Sequence, residues 1–290
     1  MSRFRRGLRT LMLAALIPAL PVVATATAQT ATQSEVKISA QKQEAVDLLK
    51  AIETGAAGPI GVINPKKYIQ HNLAAADGLA GLGALLQALP KGSARVHTIR
   101  VFQDGDRVFA HTEYDFFGPK IGFDIFRFEH GKIVEHWDNL QTTAGPNPSG
   151  HTMTDGPAEA ADLGKTQANK ALVRAFVDDI LVNGRMQRLA HYIDADNYTQ
   201  HNPQIGDGLA SLSAAFQALA KAGIALKYDR IHQVLGEGNF VLVASEGALG
   251  GKPTAFYDLF RVEKGRIVEH WDTIETIPPR SEWKNRNGKF

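Results

Sequence analysis

The chain has 290 residues, 44% hydrophobic and 21% charged, with 32 Lys and Arg against 30 Asp and Glu for a net charge of +2. That balance argues against an electrostatic nucleic-acid binder and describes a globular protein of roughly two domains. Cysteine is absent, which removes thiol nucleophiles, iron–sulfur ligation and Cys-based zinc sites.

Arg3, Arg5, Arg6 and Arg9 precede an apolar run at 11–20, and Ala24-Thr25-Ala26-Thr27-Ala28 offers small-residue exit sites before Gln29. A basic flank, a short apolar core and small residues predict a signal peptide over 1–28, too short for a good membrane span. An uncleaved anchor is the alternative. The expected location is exported, periplasmic or secreted, with no membrane contact beyond that segment. Residues 29–40 form a polar lead-in.

The remainder repeats itself. Tyr68-Ile69-Gln70-His71-Asn72 returns as Tyr198-Thr199-Gln200-His201-Asn202, and Phe123-Asp124-Ile125-Phe126-Arg127 as Tyr257-Asp258-Leu259-Phe260-Arg261. The longest echo is Gly131-Lys132-Ile133-Val134-Glu135-His136-Trp137-Asp138 against Gly265-Arg266-Ile267-Val268-Glu269-His270-Trp271-Asp272. Offsets of 130 and 134 positions exceed any solenoid period and indicate a duplicated domain.

In chain order, apolar spacing predicts a helix over 43–52 ended by Gly55, and another over 78–89. Strands follow over 96–102, 107–114, 122–128 and 132–140, separated by turns at Asp104-Gly105 and His130-Gly131. Residues 142–163, rich in Pro, Gly, Ser and Thr, read as a linker. The second copy repeats the pattern, with helices over 170–181 and 208–220 and strands within 225–235, 240–246, 255–262 and 266–274. The predicted architecture is α+β: a first domain at 41–141, a second at 164–277 and an irregular tail at 278–290.

In the 122–140 hairpin, a three-residue loop with Gly131 left-handed sets Asp124 and Asp138 on one sheet face with Phe126, Phe128, Val134 and His136. Ile125, Arg127, Ile133, Glu135 and Trp137 then take the other face. A two-residue loop would instead oppose Asp124 to Trp137. Two carboxylates and an imidazole among apolar side chains suit proton transfer next to a carbonyl, because burial lifts a carboxyl toward neutrality. Candidate catalytic residues are therefore Asp138, Asp272, Asp124, Asp258, His136 and His270. Tyr68, His71, Asn72, Tyr198, His201 and Asn202 are candidates for orienting substrate. No cofactor is required. Plainer roles stand beside these: an ion pair of Asp124 with an Arg such as Arg127 or Arg261, packing of Trp137 and Trp271 between two sheets, and His71 or His201 satisfying a buried carbonyl. His71, His136, Asp124 and Asp138 could in principle hold a metal, but no two-ligand spacing such as His-x-x-x-His occurs, and no metal is expected.

At these segments the chain resembles the SnoaL-like polyketide cyclases of the nuclear-transport-factor-2-like superfamily. The hairpin at 124–138 carries the likeness. The Tyr-x-Gln-His-Asn element and Asn147-Pro148-Ser149-Gly150-His151-Thr152-Met153 resemble a bacterial subgroup described as predicted SnoaL-like aldol-condensation enzymes. The resemblance implies two tandem cone-shaped domains, each a bent antiparallel sheet wrapped around helices with a deep pocket. In the cyclases an Asp at the end of the last hairpin is the acid/base of an aldol ring closure, which falls on Asp138 and Asp272. Those enzymes carry a His across the hairpin, where this chain has Asp124 and Asp258. Asn72 is followed by Leu73 and Asn202 by Pro203, the latter nearer the subgroup pattern. Family members pair through their sheets, so an intrachain pseudo-dimer is expected. The functional expectation is cofactor-independent aldol, retro-aldol, cyclase or isomerase chemistry on a small hydrophobic carbonyl compound. The rivals are a periplasmic small-molecule-binding protein and an interaction module with vestigial pockets.

Overall fold

Alternation with period two, punctuated by Asp-Gly, His-Gly, Glu-Gly and Lys-Gly turns, yields two antiparallel meanders. The computed structural model describes residues 38–89 and 92–290, so the signal peptide and nearly all of the lead-in lie outside the described residues. In the first half, β1 (Ile69–Gln70), β2 (Arg95–Asp104), β3 (Arg107–Asp115), β4 (Pro119–Glu129) and β5 (Lys132–Thr142) form one sheet in the order β1-β5-β4-β3-β2. In the second, β6 (Thr199–Gln200), β7 (Leu226–Glu237), β8 (Phe240–Leu249), β9 (Lys252–Glu263) and β10 (Arg266–Thr276) repeat it as β6-β10-β9-β8-β7. Bulges near Arg100 in the first sheet, and near Arg230 and Gln233 in the second, bend the strands. Each open sheet curls around its own helices, and this is the expected α+β architecture.

Helices cover the concave faces. α1 (Ala40–Thr54) starts where the Ser39 hydroxyl takes the Lys42 N–H, and ends at Gly55, whose φ of 68° costs a glycine little. It buries Leu48 and Leu49. Lys50 and Glu53 bond the backbone of Val96, which blunts the edge strand β2. A short α2 (Ala57–Ile60) precedes β1, and α3 (Gly78–Ala88) follows it. The second half has α4 (Thr166–Phe176), which runs into a π-helical stretch over Val177–Val182, then α5 (Leu189–Tyr192) and α6 (Gly208–Lys221). Buried Val173, Phe176, Ile180 and Tyr192 pack there on Val241, Phe256 and Phe260.

The convex faces pack on each other. Phe102, Phe109, Phe123, Ile125 and Trp137 meet Phe240, Leu242, Tyr257, Leu259 and Trp271 in one apolar layer. Such aromatic burial contributes about 1.5–3 kcal/mol per side chain. Polar contacts around the layer are reciprocal. Lys42 pairs with Glu237 as Lys170 pairs with Asp104, and the backbone N–H of Gln103 and Gly236 donate to those same carboxylates.

The segments after β5 and β10 also cross over. Asn147 donates to the Gln200 and Ile205 carbonyls of the second half, and Met153 is buried. Asn285 donates to the Asn72 and Ala75 carbonyls of the first half, and Asn287 to that of Gln70. Each sheet thus continues into a strap over the other half's Gln-His-Asn motif.

Candidate functional site

The last hairpin places Asp124 opposite Asp138, and Asp258 opposite Asp272, as direct cross-strand partners. The expected facing holds, by a different route. The loops contain two residues, His130-Gly131 and Lys264-Gly265, all four at positive φ, and a bulge at Val134 or Val268 restores the register. The bulge corrects one detail. Ile133 was expected on the convex face, but it packs into the concave core with Phe126 and Phe128.

β1 and β6 are two residues long and run parallel to the last strands, setting Gln70 beside His136 and Gln200 beside His270. The Asp after the motif holds them there: Asp77 accepts the Gln70 N–H and Asp207 the Gln200 N–H, both at 2.9 Å. Gly78 and Gly208 then turn at φ 74° and 80°, each donating its N–H to the motif tyrosine's carbonyl.

Proton positions in both sites follow from this. Gln70 Oε1 accepts the Asn72 N–H, and Gln200 Oε1 accepts those of His201 and Asn202, so these atoms are amide oxygens. An oxygen with that role can only accept from the imidazole Nδ1 it faces, at 2.8 Å for His136 and 3.0 Å for His270. Nδ1 therefore carries a proton. The other nitrogen, Nε2, lies 3.0 Å from Asp124 Oδ1 in the first site and from Asp258 Oδ1 in the second. One proton occupies each of these bonds, on the ring or on the carboxyl. Tyr114 donates to Asp124 at 2.5 Å, and Tyr228 to Asp258 at 3.2 Å.

Asn72 and Asn202 complete the constellation. Each side-chain oxygen accepts a backbone N–H two residues on, so the amide NH2 points at Asp138 Oδ2 (2.5 Å) or Asp272 Oδ2 (2.7 Å). Burial raises the carboxyls of Asp124 and Asp272 above the usual range, and Asp258 reinforces the effect on Asp272. Burial opposes charge on His270, but the bond to Asp258 and the nearness of Asp272 outweigh it and raise that ring. Tyr114 and Tyr228 are pushed well above the ordinary phenol range by burial and by their Asp partners.

Both constellations form the floor of an apolar cavity. The first is about 240 Å³, walled by Leu48, Ile52, Leu82, Leu86 and Phe116. The second is about 300 Å³, walled by Phe176, Leu181, Leu212, Phe216 and Leu226. Tyr68 and Tyr198 line them, along with Asn72, Asn202, His136, His270 and all four aspartates.

His71 and His201 do not line them, a correction to their expected substrate contact. Each stacks on the convex-face tryptophan, 4.7 Å from Trp137 or 4.6 Å from Trp271, and bridges a glutamate to a strap carbonyl. Arg127 and Arg261 serve those same glutamates, Glu135 and Glu269, rather than the aspartates. Donor atoms of Asp124, His136 and Asp138, of Asp258, His270 and Asp272, and of His151, Asp155 and His201 fall within 4.8 Å in each group. In the first two groups a cation would have to displace the His–Asp proton.

Gln70, Gln200, Tyr114 and Tyr228 join the site beyond the residues expected from the sequence. The glutamines were visible inside the repeated motif. The tyrosines were hidden, because Tyr114 stands on β3 while Tyr228 stands on β7, the counterpart of β2. A search for residues kept at the repeat offset could not pair them.

Residues 173–270 match the SnoaL-like domain family. Residues 173–270 thus form a SnoaL-like domain, and the sheet of the first half has the same strand order as that of the second. No curated protein matches the chain. Among solved structures it is similar to IdmH from Streptomyces antibioticus, a candidate polyketide cyclase, at 18% identity over 36% of this chain and 93% of that one, TM-score 0.31. An LEH-like epoxide hydrolase from M. tuberculosis aligns at 21% identity over 38% and 85%, TM-score 0.30. A protein with a cystatin-like fold from Xanthomonas campestris aligns at 20% over 41% and 98%, TM-score 0.32.

Proposed function

We propose that the chain is an exported, cofactor-independent enzyme that moves protons on a small apolar carbonyl compound, in aldol, retro-aldol, cyclase or isomerase chemistry. The observation that carries this is the buried cluster of Asp258, His270 and Asp272, set together on the floor of an apolar cavity. Asp272 takes the proton from the carbon next to the carbonyl. The C–H electron pair moves into a C=C bond and onto the carbonyl oxygen. The proton held between Asp258 and His270, and the Tyr228 hydroxyl, face the same cavity and can stabilise that oxygen. A carboxyl raised by burial is suited to accept and return a proton near neutral pH. Asp138, Asp124, His136 and Tyr114 repeat the arrangement in the first cavity.

Deuterium uptake from heavy water into benzylacetone and cyclohexanone, followed by mass spectrometry, tests this reading. Exchange that disappears in the Asp138→Asn, Asp272→Asn double variant supports it, and exchange that persists overturns it. No exchange, with either ketone still raising the melting temperature, favours a binding protein, to which the apolar walls are equally suited. Export rests on residues 1–28. Recovery of a full-length, C-terminally tagged chain uncleaved in the cytoplasm would rule it out.

A further inference from the structure

The two cavities share Gln, His, Tyr, Asn and two Asp in matching positions, and they differ in what stands behind the second aspartate. In the first, Asp138 Oδ1 faces Lys289 Nζ at 3.5 Å, and that ammonium also lies 2.6 Å from Glu275 Oε2. Lys289 is 4% exposed. In the second, Asp272 Oδ1 is buried with no hydrogen-bond partner among the described residues.

The difference is built from two exchanged residues. Lys289 follows Gly288, whose carbonyl binds His71, and Met153 follows Thr152, whose carbonyl binds His201. The first strap position next to the His-binding carbonyl thus carries a lysine where its counterpart carries a methionine, whose thioether accepts the Ala144 N–H. Glu275 accepts the Leu140 N–H, while Gln141 accepts the Ile274 N–H. Behind the first aspartate stands a charged pair, Lys289 and Glu275. The corresponding positions of the second half hold two neutral residues, Met153 and Gln141. The cavity-lining partners match, Asn72, Asp124 and His136 for Asp138 and Asn202, Asp258 and His270 for Asp272, while the buried phenol of Tyr257, whose counterpart is Phe123, also lies near Asp138.

We propose that Lys289 makes the two cavities unequal: it commits Asp138 to an ion pair, whereas Asp272, with no ammonium beside it among the described residues, is the aspartate that more readily takes up a proton. Lys289 is a positioning residue, acting through Asp138. The proposal rests on the acid/base reading for its catalytic meaning, but not for the inequality itself. A buried lysine stays charged only with carboxylates beside it, and Glu275 and Asp138 supply them, holding the ammonium above its usual range against the opposing effect of burial.

Dicyclohexylcarbodiimide tests the inequality without a substrate, because this apolar reagent adds to protonated carboxyl groups in apolar pockets. The full chain is treated at neutral pH and its peptides are mapped by mass spectrometry. The expected result is modification of Asp272 in excess of Asp138 by about an order of magnitude. Lys289→Met, which copies the second half, should bring Asp138 up to the level of Asp272, while Lys289→Arg keeps it spared. Equal modification of the two aspartates in the wild-type chain, or none of Asp272, overturns the proposal. So does an Asp138 still spared in a folded Lys289→Met variant. Should that variant fail to fold, the wild-type contrast decides. If the labelling is unequal as expected but no ketone exchanges deuterium, the inequality stands and the enzymatic reading falls.

Discussion

Gln70 accepts the Nδ1 proton of His136, and by doing so it decides what the far side of that ring can be. The same amide oxygen takes the Asn72 N–H, so the glutamine cannot turn over to offer a donor. The ring's remaining nitrogen meets Asp124 with one proton between them. Gln200, His270 and Asp258 reproduce the relationship with an additional backbone donor, the His201 N–H. A residue that touches no chemistry therefore sets the protonation pattern of the group that does.

This relationship predicts the behaviour of Gln200 variants. Gln200→Leu removes the acceptor for Nδ1 and for two backbone N–H groups, each loss costing about 1–3 kcal/mol. Nitrogen-15 spectra of His270 should show Nδ1 protonated in the wild-type chain and a mixed tautomer in Gln200→Leu. Deuterium exchange should fall by about ten- to a hundredfold, within the span of general acid–base contributions. Gln200→Glu keeps an accepting oxygen and should keep the Nδ1 proton. A wild-type spectrum with the proton on Nε2 alone would refute the assignment.

Much of this site was legible in the sequence, and what was not has physical reasons. Period-two alternation put Asp124, Phe126, His136 and Asp138 on one face, because the register tolerates either a three-residue loop or a two-residue loop with a bulge. The bulge at Val134 is one residue of slack in a strand, and nothing in Ile133-Val134-Glu135 announces it. It is why Ile133 turned inward. Tyr114 and Tyr228 escaped because neighbouring strands of a meander can deliver a side chain to the same spot, so the function recurs where the sequence does not. Lys289 escaped for another reason. Its partner Asp138 is 151 positions away, and only the crossing of the straps brings them together.

Buried carboxyls give the stability a definite pH dependence. The Asp272 carboxyl is raised by burial, so the folded chain holds its proton to higher pH than the unfolded chain does. Stability is then lost as pH rises from the ordinary aspartate range through the raised value. His270, also raised, adds to the same trend, since its contribution is full in acid and is lost as pH rises through its folded value. Asp272→Asn keeps the shape and removes the charge. It should raise the melting temperature near neutral pH, by the equivalent of about 1.4 kcal/mol for each pH unit by which the carboxyl is raised. The gain should vanish below the ordinary aspartate range. A variant less stable than wild type at neutral pH would show that the charge is better satisfied than its unpartnered oxygen implies.

The shared layer between the sheets predicts that the halves unfold together. Phe240 stacks on Phe102 at 4.6 Å and lies 6.0 Å from Trp271, and all three are buried. Phe240→Ala opens a cavity bordered by both sheets and should cost about 3–5 kcal/mol. Calorimetry should show one transition in the wild-type chain and in the variant, moved to lower temperature. Two resolved transitions in the wild-type chain would mean that the layer does not couple the halves.

Close backbone approach makes Gly247 the most consequential glycine for the second site. It pairs with Tyr228 on β7, and a Cβ there would fall 1.9 Å from the Lys227 carbonyl oxygen and 3.0 Å from the Tyr228 Cα. Backbone atoms cannot swing away, so β7 itself must move, carrying the Tyr228 hydroxyl off Asp258. Gly122 in the first half offers a contrast. Its Cβ would meet Leu140 Cδ2 at 2.4 Å and the Tyr114 ring at 2.9 Å, and the first of these is the end of a flexible side chain. Gly247→Ala should therefore cost about 1–3 kcal/mol, the range of overpacking with backbone shifts, and Gly122→Ala less. Deuterium exchange dependent on Asp272 should drop in Gly247→Ala and survive in Gly122→Ala. Equal melting temperatures for the two variants would show that β7 yields as easily as a leucine methyl, and that Tyr228 is not held by the strand pairing.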